Sequence, residues 1–178
     1  MTKQAIIAAT EEQFSAFSQY CNNIPAIIFF DKPGPKWSVA ENVHHLVIST
    51  NTTTLAFLLP KFLVRLISGR PKRGSRTYGQ LVEKYKKKLA EGGAASGRYI
   101  PKPIAINADK EKLLHNWSKA AGRHLKALKN NRTERDLDTC LVKHPLLGKI
   151  TLRELCYFTI YHTEHHLNII SLSGVTQL

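Results

Sequence analysis

Residues 151–174 read TLRELCYFTIYHTEHHLNIISLSG, and the fold turns on this stretch. Thr151 and Glu154 form a capping box. The hydroxyl accepts from the backbone amide of residue 154, and the carboxylate accepts from the amide of residue 151. No Gly or Pro follows until Gly174, so the spacing predicts a helix running to about Leu172 and stopping at Gly174. His162 and His166 lie one turn apart and share a face with Leu155, Thr159 and Ile169, so that face points inward. Two imidazoles at i and i+4 toward an apolar interior make a half-site for a divalent ion, since His–metal distances of about 2.0–2.1 Å can be reached from that spacing. The same pair also describes two core histidines satisfied by carbonyls or water, so a third ligand must come from elsewhere. His165 lies about 100° round the helix from His166. Glu164 is about 200° from His162, so the pattern is not the HExxH protease arrangement, in which Glu directly follows the first His.

Three more long helices precede this one. The first lies within residues 3–22, with Ile6, Phe14, Phe17 and Tyr20 among its apolar positions. The Asn, Pro and Gly residues of NNIPAIIFFDKPGPKW then read as a loop. SVAE is a second capping box, Ser38 with Glu41, opening a helix that Pro60 ends or kinks near Leu59. Glu41 is explained by that box and is not counted as a ligand, and Trp37 reads as a hydrophobic anchor for the helix start. KFLVRLIS and TYGQLVEKYKKKLAEGG read as short extra helices in the 60–92 connection, the latter stopped by Gly92 and Gly93. Leu113, Leu114, Trp117, Ala121, Leu125 and Leu128 recur at steps of three and four and predict a helix over about 109–131. No strand alternation is visible. The expected fold class is all-α, a four-helix bundle forming a single domain over residues 1–178. The third ligand could come from His44 or His45 on the second helix, His115 or His124 on the third, or His144 in the turn before the fourth. Periodicity does not choose between His44 and His45.

Composition narrows the partners. Of the 178 residues 43% are apolar and 22% charged, which argues against disordered and membrane classes. Cys21, Cys140 and Cys156 are odd in number and form no CxxC, so a reducing compartment is expected, with Cys156 packed in the core. The start, MTKQAIIAATEEQF, makes a poor signal peptide. The run LAFLLPKFLVRLI is interrupted by Pro60, Lys61 and Arg65 and is too short to span a bilayer. A soluble cytoplasmic protein without a membrane partner is expected. The net charge is +13, and residues 61–88 hold ten Lys and Arg against Glu83 alone. Such a stretch reads either as a solvated surface or as a polyanion-binding one. Base-stacking aromatics are sparse there (Tyr78, Tyr85), and no recognised DNA-reading motif is visible.

Two segments carry a family resemblance. WSVAENVHHL, Trp37 to Leu46, resembles the W-S-x-x-E-x-x-x-H-L signature of the DinB-like superfamily. This is a group of four-helix proteins that includes damage-inducible DinB proteins, bacillithiol transferases and mycothiol-dependent maleylpyruvate isomerase. HPLLGKITLRELCYFTIYHTEHHLNI, His144 to Ile169, is similar to the family's H-P-x-x-G-x-x-T-x-x-E stretch with its following H-x-x-x-H. The two motifs come in the family's order and cover the second and fourth helices. The resemblance implies that His45, His162 and His166 are the metal ligands. His44 and His165 then read as surface or supporting residues.

Three neutral imidazoles suit Zn²⁺, Ni²⁺ or Fe²⁺ and leave open positions on the ion. A water there can become hydroxide near neutral pH. The resemblance instead implies a low-molecular-weight thiol, activated by the metal to attack an electrophile. No Ser–His–Asp set, GxGxxG or P-loop is present. The expectation is therefore a metal-dependent thiol S-transferase or hydrolase acting on a small-molecule substrate. The competing reading is a non-catalytic stress protein that binds DNA or another polyanion, with the metal structural or absent. Apolar residues on the first helix leave room for a homodimer.

Overall fold

Each long helix begins at a side-chain cap, which satisfies amides that have no partner within the helix. In the computed structural model, which describes residues 1–32 and 34–175, α1 (Lys3–Asn23) starts at Thr2, whose hydroxyl accepts from Ala5 N at 3.2 Å. α3 (Val39–Leu58) starts at the predicted box. Glu41 N donates to Ser38 Oγ at 3.1 Å, and Ser38 N donates to Glu41 Oε2 at 2.9 Å. Asp109 caps α6 (Lys110–Asn130). Thr151 and Glu154 form the reciprocal pair that opens α8 (Leu152–Val175), at 3.2 and 2.9 Å. α8 continues one residue past Gly174, where the sequence places its stop.

These four helices form the bundle. α1 packs on α6 and α8, and α3 packs on the same two, so α1 and α3 stand on opposite corners. One half of the core gathers Phe14, Phe17, Leu46, Trp117 and Ile170; the other gathers Ile6, Phe57, Leu128, Leu152 and Tyr157. Phe14 and Phe17 both meet Trp117 edge-on with centroids 5.1 Å apart, a favourable aromatic geometry. The indole N–H, which would be costly to bury unpaired, donates to Ser18 Oγ at 2.8 Å. The chain is predominantly helical, as the sequence predicts.

Shorter elements depart from the sequence reading. Within the expected loop at 22–37, Ala26–Phe30 is a helical turn (α2) because Phe29 and Phe30 bury against α3; Pro33 of that segment lies outside the described residues. α4 (Lys61–Ser68) and α5 (Tyr78–Ala90) occupy the 60–92 connection as expected, and a further short helix, α7 (Glu134–Thr139), precedes α8. The absence of strands is overturned: β1 (Leu141–His144) pairs antiparallel with β2 (Gly148–Thr151), Leu141 opposite Thr151 and His144 opposite Gly148. Four residues per strand are too few to show alternation. His144 therefore ends a strand, and its Nδ1 accepts from Leu146 N and Leu147 N, both at 3.2 Å. Gly148 takes the left-handed backbone that closes this turn (φ 72°).

Part of the basic stretch is structural. Glu154 is fully buried, and Arg73 grips both of its oxygens at 2.7 and 2.9 Å while Arg76 N donates at 2.7 Å. Lys61 pairs with Asp136, and Lys84 Nζ donates to Leu147 O. On α1, Ile6, Ile7, Phe14 and Phe17 all lie in the core. Large exposed apolar residues stand at the α3–α4 elbow, Leu58, Phe62, Leu66 and Ile67. No single helix among the described residues is long and apolar enough to cross a membrane; α3 and α4 pass that test only as a pair bent by 109°.

Two stability experiments follow from these contacts. Burial raises the Glu154 carboxyl, but its hydrogen bonds from Arg73, Arg76 N and Thr151 N together hold it below the usual carboxylate range. Glu154→Gln leaves two guanidinium groups facing an uncharged amide and is expected to lower the free energy of urea unfolding by about 3 kcal/mol. Because the folded carboxyl titrates below its ordinary 4.5, the parent loses this advantage as pH falls below that value, and the variant shows no matching loss. His124, wholly buried with Nδ1 3.1 Å from the Thr54 hydroxyl, is pushed by burial from 6.5 down to about 4. The unfolded chain takes this proton first, so stability declines from pH 6.5 toward 4. His124→Met should flatten that slope in pH-dependent unfolding curves.

Candidate metal centre

The site is assembled from α3, α8 and one loop. His45 projects from the second turn of α3, and His162 and His166 from the buried face of α8; all three are nearly inaccessible to solvent. His162 Nε2 lies 3.2 Å from His45 Nε2 and 3.2 Å from His166 Nε2. One nitrogen from each ring falls within a single small triangle, a group able to hold a metal ion. His44, His115, His124, His144 and His165 are not in the group. His115 is exposed, and His124 lies in the core against Phe14 and Phe57.

The opposite nitrogens decide what the triangle can do. His45 Nδ1 donates to the carbonyl of Tyr99 at 2.7 Å. His166 Nδ1 donates to Asn42 Oδ1 at 2.7 Å. Asn42 is itself oriented, because its amide nitrogen donates to Ser38 O at 2.8 Å, which leaves Oδ1 for the histidine. His162 Nδ1 lies 3.4 Å from Ser49 Oγ. The bonds to Tyr99 O and Asn42 Oδ1 hold the ring proton of His45 and His166 on Nδ1, so their Nε2 atoms present lone pairs toward His162 Nε2. Lone pairs facing at 3.2 Å repel unless a proton or a metal ion lies between them. A tetrahedral ion at about 2.0–2.1 Å from each nitrogen separates its ligands by about 3.3–3.4 Å, close to the observed spacing. The donor set therefore fits a divalent metal.

Electrostatics act in the same direction. Burial lowers the His45 imidazole, partly countered by its bond to Tyr99 O. Burial, then repulsion from neighbouring imidazoles, holds His162 and His166 well below 6.5. All three rings are therefore neutral near pH 7, the form that ligates metals. Glu41 is committed to its cap and to Lys32 at 3.2 Å. The three cysteines are buried, and burial pushes Cys21 and Cys156 up to about 12, so neither supplies a thiolate.

Several supporting residues are not evident in the sequence. Trp37 does more than anchor a helix start: its ring stacks parallel to His166 (6°, centroids 6.3 Å apart) and sits 5.1 Å from His45. Phe158 stacks on His162 at 4.7 Å and meets His144 at 4.2 Å, so the hairpin braces the α8 pair. Asn42 had a visible signal, one helical turn after the cap residue and three positions before His45. The Tyr99 carbonyl had none, being a backbone atom on a short 3₁₀ turn at Gly97–Tyr99. A cavity of about 890 Å³ opens onto the three rings, lined in part by Trp37, Tyr85, Leu89, Leu146 and Phe158.

Asn42→Ala removes the acceptor that fixes the His166 ring. Its affinity for Zn²⁺, measured by competition with a chelating dye, is expected to fall about 10–100-fold while the circular dichroism spectrum stays helical.

Comparison with known proteins adds one match. The family model described as the DinB superfamily covers residues 9–170, from within α1 to near the end of α8. No curated protein matches, and no solved structure matches. The helical bundle and the match over most of the chain lead to one conclusion: this protein belongs to the DinB superfamily.

Proposed function

We propose that this chain is a metal-dependent enzyme of the DinB superfamily, comprising one domain, in which His45, His162 and His166 hold a single Zn²⁺, Ni²⁺ or Fe²⁺ ion. The reaction proposed is transfer of a low-molecular-weight thiol to an electrophile, with hydrolysis as the alternative use of the same centre. The observation that carries this reading is the convergence of three Nε2 atoms whose Nδ1 partners each have an oxygen within hydrogen-bond reach. When bound, the ion supplies Lewis acidity and lowers the proton affinity of a thiol or water that reaches it.

The chain's own residues perform the rest. Asn42, the Tyr99 carbonyl and Ser49 orient the three rings before any ligand arrives, so little reorganisation is needed on binding. Trp37 and Phe158 cover the outer faces of His166 and His162 and shield them from water. The cavity brings a small molecule to the remaining side of the triangle. Three neutral ligands leave the ion's positive charge uncancelled, which favours an anionic thiolate over the neutral thiol. Two substrates need more room than one, and a volume of about 890 Å³ lies toward the top of the range of about 300–1,000 Å³ typical of small-molecule sites.

The test begins with stoichiometry. Purified protein should bind about one Zn²⁺ or Ni²⁺ per chain. His45→Ala and the double variant His162→Ala/His166→Ala should lose the ion yet keep the helical spectrum. Variants that bind metal as well as the parent would show that the ligands lie elsewhere. Metal-loaded parent should then conjugate a low-molecular-weight thiol to a generic electrophile such as monobromobimane faster than metal-free parent, and His45→Ala should abolish the difference.

A further inference from the structure

α4 faces the wrong way for a solvated helix. A surface helix turns its apolar side to the core and its polar side to water. In KFLVRLIS the buried side is made by Val64 and Ser68, while Phe62, Leu66 and Ile67 stand 68%, 79% and 72% exposed. Leu55, Leu58 and Leu59 add exposed apolar surface where α3 ends. Apolar exposure gathered in one place marks a surface that something else covers. We propose that the α3–α4 elbow docks the protein on an anionic phospholipid bilayer, with Phe62, Leu66 and Ile67 entering the interface and the neighbouring cations meeting the headgroups. The metal centre plays no part in this docking.

The charge around the elbow selects the occupant. From Leu55 to Val82 the chain carries six Lys and Arg and no Asp or Glu. Lys61, Arg73 and Arg76 are engaged by Asp136 and Glu154. Arg70 and Lys72 follow directly on α4, are exposed and make no ion pair among the described residues; Lys143, exposed on the strand against which α4 packs, makes none either. The acids on the neighbouring α7 are already taken, Asp136 by Lys61 and Asp138 by Arg153. The rim of the apolar face is therefore of one sign. A twofold contact between two copies would set that rim against itself. A nucleic acid would answer the charge and leave the apolar face wet. An anionic bilayer supplies an apolar layer and a negative surface together.

The backbone of the elbow suits a poorly hydrated layer, where polar groups are costly unless already bonded. Pro60, at the bend, has no amide. The Ala56 and Leu59 carbonyls, which the end of α3 leaves without helical partners, accept from Arg132 Nη2, and Arg132 is itself buried. Leu59 N donates to Leu55 O at 3.0 Å and Val64 N to Pro60 O at 3.2 Å. A helix that lies in the interface needs no spanning length, so this docking is compatible with the lack of a single membrane-crossing helix among the described residues.

The experiment sediments the protein with vesicles of phosphatidylcholine alone or mixed with phosphatidylglycerol. The mixed vesicles should bind about tenfold more tightly, and added salt should weaken that binding. Phe62→Ser/Leu66→Ser/Ile67→Ser, which keeps every charge, should weaken it about tenfold or more. Arg70→Glu/Lys72→Glu should weaken it more than Lys112→Glu/Lys119→Glu, the same charge change at the opposite end of α6 from Arg132. Tryptophan fluorescence of Leu66→Trp should be quenched by brominated lipid beyond the level of the parent, which places the residue inside the interface. Equal binding to both vesicles, or undiminished binding by the serine variant, overturns the proposal. So does an elbow charge variant that binds as well as the α6 variant. Light scattering that shows a parent dimer, split by the serine substitutions, with no vesicle binding, assigns the elbow to a second copy instead. If the triple variant misfolds by circular dichroism, Leu66→Asp alone decides.

Discussion

α8 is enclosed on every side over its first three turns: each residue from Thr151 to Ile160 is buried. A helix in that position cannot leave a polar group to water, so each one must find a partner inside the protein. At the N-terminal end the demand falls on Glu154, which closes the cap and draws Arg73 and Arg76 across from the 69–77 connection. Two turns further on it falls on His162 and His166, whose four ring nitrogens lie on the bundle side facing α3. The second demand is met by α3. Ser49 and Asn42 take the Nδ1 positions, and His45 turns its Nε2 toward the other two.

This constraint explains why WSVAEN works as a unit. Trp37 packs on the His45 and His166 rings, Ser38 and Glu41 fix the first turn, and Asn42 hangs from the Ser38 carbonyl to orient His166. The cap of α3 is therefore also the outer scaffold of the three-histidine cluster. The HPLLGKITLRE segment acts likewise at the other helix. His144 closes the hairpin turn, Phe158 stacks on His162 and meets His144 edge-on, and Thr151 with Glu154 sets where α8 begins. Both segments position the rings through packing and hydrogen bonds, which is how neutral histidines are kept neutral and aimed.

The basic stretch takes on a different meaning in three dimensions. In the linear chain it is an excess of positive charge. In the fold, Arg73 and Arg76 neutralise a buried carboxylate, Lys61 faces Asp136, and Lys84 ties α5 to the hairpin through the Leu147 carbonyl. The 60–92 segment is thereby fastened over α8, and α5 contributes Tyr85 and Leu89 to the wall of the cavity. Charge that looked like a surface for a partner is partly the means by which the cavity is walled.

The four long helices, the capping boxes of α3 and α8 and the HxxxH pair were legible in the sequence because each depends on neighbours within a few residues: a box spans three positions and a shared helical face spans four. The choice of His45 over His44 came from resemblance, since both sit on the same helix and only packing against α8 separates them. The β-hairpin and α2 were not legible. Their strands and turn are too short for periodicity and exist because tertiary burial favours them. The Tyr99 carbonyl and the shape of the chamber belong to the same class. What local chemistry determines is where helices start and which donors are offered. What only the tertiary structure decides is which nitrogens meet, because a 3.2 Å encounter between residues far apart in the chain is set by the packing of α3 against α8 and by nothing nearer in sequence.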